Sequence, residues 1–326
     1  METAIEVTTL TEAYRAAHES AIVVDRSDLG MLKFTGMSRL DLLQRMSTGD
    51  VKSLSGGEGK ATILTTDIGR MIDRLLLYAS SDAIYALTGE NNADNVARYL
   101  MRFIFFQDDF HIEDLSAETA TFGVYGAHAA TRLRRLFGDG VDLELHHWRE
   151  QPLERVKVYV HRTDAVAGDG YFVMCDSEDA GAVWQQLLGA NITPAEADAF
   201  DYLRIESGLP RFGHEITEDY IPLEAGLWRD VSFSKGCYIG QEIIARMESR
   251  GRLAKQLVRL QADAPVPVAV DVQAGRRAAG RITSAGDGPA GPLALGYVKS
   301  RALGEAQETE LSADAVGLTI VETVRR

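Results

Sequence analysis

Between two helix-like segments, residues 210–240 run for 31 positions without a sustained period of 2 or 3.6. Loops that long inside compact domains are uncommon and usually carry function. Five aromatics, Phe212, Tyr220, Trp228, Phe233 and Tyr238, give the stretch flat apolar surface. Such surface suits stacking on a planar ligand. It serves equally to pin the loop to a core.

The flanks set the context. Thr193-Pro194-Ala195-Glu196 reads as a helix start, with Thr as cap, Pro in the first turn and Glu reaching back. That helix is expected to run to Ser207 and stop at Gly208, with Pro210 just beyond. Residues 241–247 read as a second helix. Upstream, strands are expected at 21–24 and 31–34 around a turn at 25–28. Ser38 forms a near capping box with Asp41 for a helix over 39–46. A hairpin is expected over 61–64 and 71–78 around Thr66-Asp67-Ile68-Gly69. A helix over 93–106, strands at 111–114 and 121–124, a strand pair at 156–160 and 171–175, and a helix over 178–188 follow. Strands recurring with helices, hairpin by hairpin, indicate an α+β fold with mostly antiparallel sheets. From about Lys255 the chain holds four of its eight prolines and many Gly-bounded β-branched runs. That tail reads as a small all-β barrel or sandwich.

Within the aperiodic stretch lies Lys235-Gly236-Cys237-Tyr238-Ile239-Gly240-Gln241-Glu242. Cys237 sits just before a helix N-terminus and two residues from a lysine, and both features favour a thiolate. A buried, inert cysteine is the plain alternative. Glu206 falls in the last turn of its helix, where the macrodipole disfavours a carboxylate by about 0.3–1 kcal/mol. It is either recruited by an N–H-rich ligand or ion-paired with Arg204 or Arg211. Asp73 lies in a strand that is apolar on both faces, so it is paired, protonated or functional unless it marks an exposed strand end. Residues 235–259 carry six Lys or Arg against Glu242 and Glu248, a candidate anion site or a solvated helix face.

Several classes are excluded. A formal charge of −14 over 326 residues argues against general nucleic-acid binding. Two cysteines, Cys175 and Cys237, make neither a disulfide framework nor a four-thiolate metal site. His146-His147 lacks metal-ligand spacing, residues 56–60 lack the phosphate-loop order, and no Gly-x-Ser-x-Gly elbow occurs. No metal site, signal peptide or membrane span is expected, which points to a cytoplasmic, reducing compartment.

KGCYIGQE, residues 235–242, resembles the signature K-G-C-Y-x-G-Q-E of YgfZ-type folate-binding proteins, which are similar in fold to the glycine cleavage T-protein, an aminomethyltransferase. Leu203-Arg204-Ile205-Glu206-Ser207-Gly208 resembles the family's L-R-x-E-x-G, followed by Phe212-Gly213-His214-Glu215 in place of Y-G-x-E. Ile221-Pro222-Leu223-Glu224-Ala225 resembles its P-x-E-A segment. Gly280-Arg281-Ile282-Thr283-Ser284 and Leu295-Gly296-Tyr297-Val298 resemble G-x-x-T-S and G-Y-V of a C-terminal barrel. Asp25-Arg26-Ser27 and Phe34-Thr35-Gly36 fit the opening pattern. The likeness spans roughly residues 10–310.

The resemblance implies T-protein-like folate-binding domains: an aminomethyltransferase-like region over 1–250, made of two interwoven α+β subdomains, and a β-barrel domain over 251–326. It implies tetrahydrofolate as ligand. Glu206, Arg204, Lys235, Tyr238, Gln241 and Trp228 are the implied binding residues. Two roles follow. In the first, Cys237 serves the assembly or repair of iron–sulfur client proteins. In the second, Asp73, which matches the first acidic residue of the T-protein G-x-x-x-D-D segment, supports folate-dependent aminomethyl transfer or demethylation. Gly89 stands near where T-proteins place an asparagine, and residues 166–171 keep only the end of G-Y-T-G-E-x-G-Y.

Overall fold

A computed structural model describes residues 8–305 and 310–326. The chain divides by contact into two units. The first comprises Met1–Asp28 and Ala117–Leu209, the second Leu29–Ser116 and Pro210–Arg326.

The first unit is built on a six-stranded sheet in the order Thr193–Pro194, Ile22–Asp25, Thr119–Gly126, Asp169–Asp176, Val156–Arg162, Trp148–Leu153. Every pairing is antiparallel except Thr193–Pro194 against Ile22–Asp25. Val23, Val124, Val160 and Val173 of the sheet pack against Leu133 and Leu187 from the helices Ala129–Phe137 and Ala180–Gly189.

One expectation changes here. Thr193 and Pro194 do not start a helix. Thr193 N–H donates to Ala21 and Ala195 N–H to Val23, so the ladder claims this backbone. The helix begins later, at Ala197–Glu206, after Glu196 in extended geometry. Tertiary pairing overrides the local helix signal. The stop is as expected: Ser207 caps and Gly208 turns left-handed at φ +65°.

The second unit holds a five-stranded sheet, Gly59–Thr65, Met71–Ala79, Ile84–Glu90, Leu29–Thr35, His111–Asp114 in that order, and a closed six-stranded barrel from Lys255–Ala262 to Val316–Thr323. The sheet buries Leu32, Phe34, Leu64, Leu75 and Leu77 against Leu42, Leu43, Val96 and Leu100 of the helices Arg39–Met46 and Ala93–Met101. The hairpin around Thr66–Gly69 forms as expected.

Residues 25–28 do not close a hairpin. Ile22–Asp25 pairs with Thr119–Gly126 and Thr193–Pro194, whereas Leu29–Thr35 pairs with Ile84–Glu90 and His111–Asp114. The chain leaves one sheet for another there. Nor does Ser38 cap through its side chain; its hydroxyl accepts from Asp109 N–H at 3.1 Å. The helix expected over 93–106 stops at Met101.

The loop of residues 210–240 contains only one 3₁₀ turn, Trp228–Asp230, and one isolated bridge, Phe212 to Ile216. Its own apolar cluster, Ile221, Leu223, Val231 and Tyr238, packs on Ile244 of the helix Gln241–Arg250. Backbone bonds tie it to the sheet and to the helix Arg39–Met46 with the segment after it: Met71 N–H to Tyr220, Ser232 N–H to Thr48, Ile239 N–H to Arg45.

Candidate functional site

The sheet, the helix Ala93–Met101 and the long loop enclose a cavity of 1490 Å³ within the second unit. The hairpin turn contributes Thr66, Asp67 and Ile68. The helix contributes Asn95, Arg98 and Tyr99, with Asn92 before it and Arg102 and Phe103 after it. Asn95, Arg98 and Tyr99 recur every three or four positions on one helix face, and the residues flanking the helix continue that side. The loop adds Phe212 and Glu218, and the signature adds Cys237, Tyr238, Ile239 and Gln241.

Asp73 stands behind this wall. Burial alternates at the start of its strand, which turns Met71, Asp73 and Leu75 inward. Asp73 is fully buried, so it marks no exposed strand end. Its Oδ2 accepts from Gly89 N–H at 2.9 Å and from Asn92 Nδ2 at 2.9 Å. Its Oδ1 accepts from Arg74 N–H at 2.7 Å. Burial pushes its carboxyl up to about 7, against the pull of those three donors. Asn92 therefore joins the buried carboxyl to the cavity. Its own Oδ1 accepts from Asn95 Nδ2 at 3.0 Å, so both ends of the amide are held.

Gly89 has a steric reason. A Cβ there would collide with the Phe212 ring. The space an asparagine would need at this position is filled by that ring, which forms cavity wall instead.

The signature loop is fixed from below. Lys235 is buried, and its ammonium donates to the carbonyls of Ser47 and Gly49, both at 2.6 Å. The expected partnership of Lys235 with the Cys237 thiolate is not made; the lysine is a structural pin. Gly240 opens the helix at φ +83°. A Cβ on it would meet Thr66 O at 2.7 Å and Gly69 Cα at 2.8 Å, so only glycine lets the hairpin turn approach. Thr65 Oγ1 then donates to Ile239 O at 2.7 Å. Cys237 is exposed on the cavity wall.

Desolvation lowers Lys235 from 10.5 to about 8. A lysine depressed in the folded state costs stability below the folded value, and that cost is relieved as pH rises toward the unfolded one. The stability of the wild type relative to Lys235→Met should therefore climb between pH 8 and 10.5. Denaturant titration across that window checks it, and a flat difference contradicts it.

The other expected residues lie elsewhere. Trp228 packs beside Phe233, under Arg325. Arg204 and Glu206 belong to the first unit. Arg204 is buried and donates to Asp201 at 2.7 Å. Glu206 accepts from Tyr14 OH at 2.8 Å and pairs with His18 Nε2 at 2.9 Å. The basic segment does not reach the cavity as an anion site. Lys235 is pinned, Lys255 donates to Asp219 O, and Arg259 pairs with Glu322. The cavity's arginines are Arg98 and Arg102 instead.

Residues 4–235 match the family model described as the GCVT N-terminal domain. The chain belongs to the GCVT family. It is 27% identical over 310 residues, 94% of this chain and 72% of the relative, to a chloroplastic protein of Arabidopsis thaliana provisionally named a transferase. It is 27% identical over 320 residues to an aminomethyltransferase of Halalkalibacterium halodurans, covering 96% of this chain and 86% of that one. Among solved structures it is similar to glycine cleavage system aminomethyltransferase T from Bartonella henselae. That match has a TM-score of 0.83 at 21% identity and covers 97% of this chain and 88% of that one. The GCVT fold, antiparallel sheets plus a closed barrel, is the α+β architecture expected from the sequence. Among the described residues no helix is long and apolar enough to cross a membrane.

In this GCVT chain the residues that sequence reasoning missed are Asn92, Tyr99 and Arg102. The helical spacing of residues 92–103 could have placed them on one face. Nothing local shows that this face meets Phe212 and Cys237, more than a hundred residues away.

Proposed function

We propose that the chain binds a reduced folate in the cavity of its second unit and supports transfer of a one-carbon or aminomethyl unit on it. The observation that carries this reading is the Asp73–Asn92 pair, a buried carboxyl that titrates near neutrality and connects to the cavity through one fixed amide. The aminomethyltransferases among its relatives support the same reaction class.

The wall residues fit such a ligand. Tyr99, Phe103, Phe212 and Tyr238 offer rings for a flat pterin and its aromatic tail. Asn92, Asn95 and Gln241 offer amide donors and acceptors to an N–H-rich ring. The volume exceeds the roughly 300–1,000 Å³ of ordinary ligand pockets, leaving room for a second reactant. A bound reduced folate supplies the nitrogen that carries the one-carbon unit. The chain's own contribution is positional. Asn92 cannot swing, because Asp73 and Asn95 hold its two ends. Asp73 passes between neutral and charged near neutral pH and fixes which way the Asn92 amide faces the cavity; the amide holds this geometry and carries no proton. Asp73 thus acts as a positioning residue that reaches the cavity only through Asn92.

A second reading, support of iron–sulfur proteins in the manner of YgfZ-type proteins, rests on one observation: Cys237 is exposed in the cavity wall. Paired variants separate the two readings. Under the first, Asp73→Asn loses methylene transfer to tetrahydrofolate and Cys237→Ala keeps it. The reverse pattern supports the second.

A further inference from the structure

Asn92 stands just before the helix Ala93–Met101, at the position where asparagine is among the preferred capping residues. Its side chain makes no cap. The amide turns to the buried carboxyl instead, and Nδ2 donates to Asp73 Oδ2 at 2.9 Å. The fold forgoes a cap and makes this contact.

The contact is the inner link of a longer row. Asn92, Asn95 and Arg98 follow one another at helical spacing, and all three line the cavity. Asn95 Nδ2 donates to Asn92 Oδ1 at 3.0 Å, and Arg98 Nη2 donates to Asn95 Oδ1 at 2.7 Å. The same Nη2 pairs with Asp94 Oδ2 at 2.8 Å, which steadies the outer end. This row has one direction. A guanidinium only donates and a charged carboxylate only accepts. Both amides between them therefore present oxygen toward Arg98 and nitrogen toward Asp73. Each amide nitrogen keeps a second N–H, so the cavity meets amide donors and acceptors in a fixed order.

Donors aligned head to tail polarise one another, and the charged acceptor at the end gains from it. The Asn92 contact pulls the Asp73 carboxyl down, against burial, which raises it. The nearest charged groups sit on the two strands. Glu90, on the adjacent strand, raises the carboxyl and is itself paired with Arg211 at 2.9 Å. Arg74, next to Asp73, is paired with Asp230 at 2.6 Å. We infer that Asn95 and Arg98 are positioning residues of the cavity: with Asn92 they form a one-way hydrogen-bond row that favours the charged form of Asp73 and sets the order of amide groups offered to a ligand. That the ligand is a reduced folate rests on the proposed function; the effect on Asp73 does not.

Carboxyl-carbon NMR of the full-length, aspartate-labelled protein reads the ionisation of Asp73, its signal identified by its loss in Asp73→Asn. Three variants separate the causes. Asn95→Leu breaks the row without changing charge, and the Asp73 midpoint should rise by about half a pH unit to one unit. Arg98→Met removes the outer donor and should raise the midpoint by less. Arg98→Gln removes the same charge but keeps an N–H donor, and should bring the midpoint most of the way back to the wild type. Asn95 and Arg98 are exposed, so all three variants should keep the wild-type melting temperature. An unmoved midpoint in Asn95→Leu overturns the inference. So does an equal rise in Arg98→Met and Arg98→Gln, which marks a simple loss of charge. Tetrahydrofolate titrated into the same proteins keeps the two claims apart: no binding to the wild type, with the midpoint shifts intact, sinks the folate reading and leaves the row.

Discussion

Asp73→Asn is expected to lower one-carbon transfer to tetrahydrofolate by a factor on the order of 10², the scale for losing a group that holds the reacting parts in place. The substitution keeps the side-chain shape but reverses one hydrogen-bonding end. Three N–H donors, from Gly89, Asn92 and Arg74, converge on this carboxyl. An asparagine amide must point its own N–H₂ at some of them, which costs about 1–3 kcal/mol. The lower-cost orientation sets that N–H₂ against the single donor, Arg74 N–H, and keeps the amide oxygen toward Gly89 and Asn92, so Asn92 retains an acceptor that is now neutral and cannot ionise.

The same carboxyl makes a pH-dependent prediction. Its folded value is about 7 against an ordinary 3.8, raised chiefly by burial. A carboxyl raised by folding contributes stability in full below its unfolded value. Between 3.8 and about 7 the unfolded chain gives up the proton and the folded chain keeps it, so the contribution drains away as pH rises. The stability of the wild type relative to Asp73→Asn should therefore shrink over that window, by on the order of 4 kcal/mol in all, and level off above it. Denaturant titrations at several pH values read this directly. A pH-independent difference, together with transfer within a few-fold of the wild type, sinks the role given to Asp73.

Glu215→Ala should give the largest loss of stability. Glu215 is fully buried. Its Oε1 accepts from Thr283 and Ser284 hydroxyls, both at 2.6 Å, and its Oε2 accepts from Arg211 N–H at 3.0 Å. Its backbone carbonyl accepts from Tyr297 OH at 2.8 Å. This residue welds the long loop to two barrel strands. Truncation removes the acceptor shared by the buried Ser284 hydroxyl and the half-buried Thr283 hydroxyl and leaves a cavity, at a cost of roughly 3–5 kcal/mol. The expected fall in melting temperature is roughly 4–7 °C. Glu215→Gln keeps an acceptor and should lose much less. Equal, small shifts for both variants contradict the welding role.

That network also shows what the sequence makes legible. The fragments around Glu215 and around Thr283-Ser284 are individually weak likenesses, yet the fold brings them together across 68 residues of chain. The hairpin at Thr66–Gly69, the helix Arg39–Met46 and the β-rich tail were readable because their signals are local: turn residues, a 3.6 period, Gly-bounded β runs. Asp73 was readable because a carboxylate inside an apolar strand is a local contradiction. The failures share a different cause. Residues 25–28 resemble a hairpin turn, but the strands on either side take partners from distant segments. Thr193-Pro194 resembles a helix start, but the strand Ile22–Asp25 takes its backbone. Lys235 resembles a counter-charge for Cys237, but two carbonyls almost 190 residues earlier hold it. Charge counted along residues 235–259 missed Arg98 and Arg102, because cavity walls are assembled in space and not in sequence.

The central claim is that a reduced folate occupies the cavity that Asn92 lines and behind which Asp73 lies. Calorimetric titration of the purified protein with tetrahydrofolate, alongside Asn92→Ala, tests it most directly. The account predicts micromolar or tighter binding to the wild type, weakened at least about tenfold in the variant, as expected for loss of a buried hydrogen-bonding group. Absence of binding to the wild type, or equal affinity in the two proteins, contradicts it.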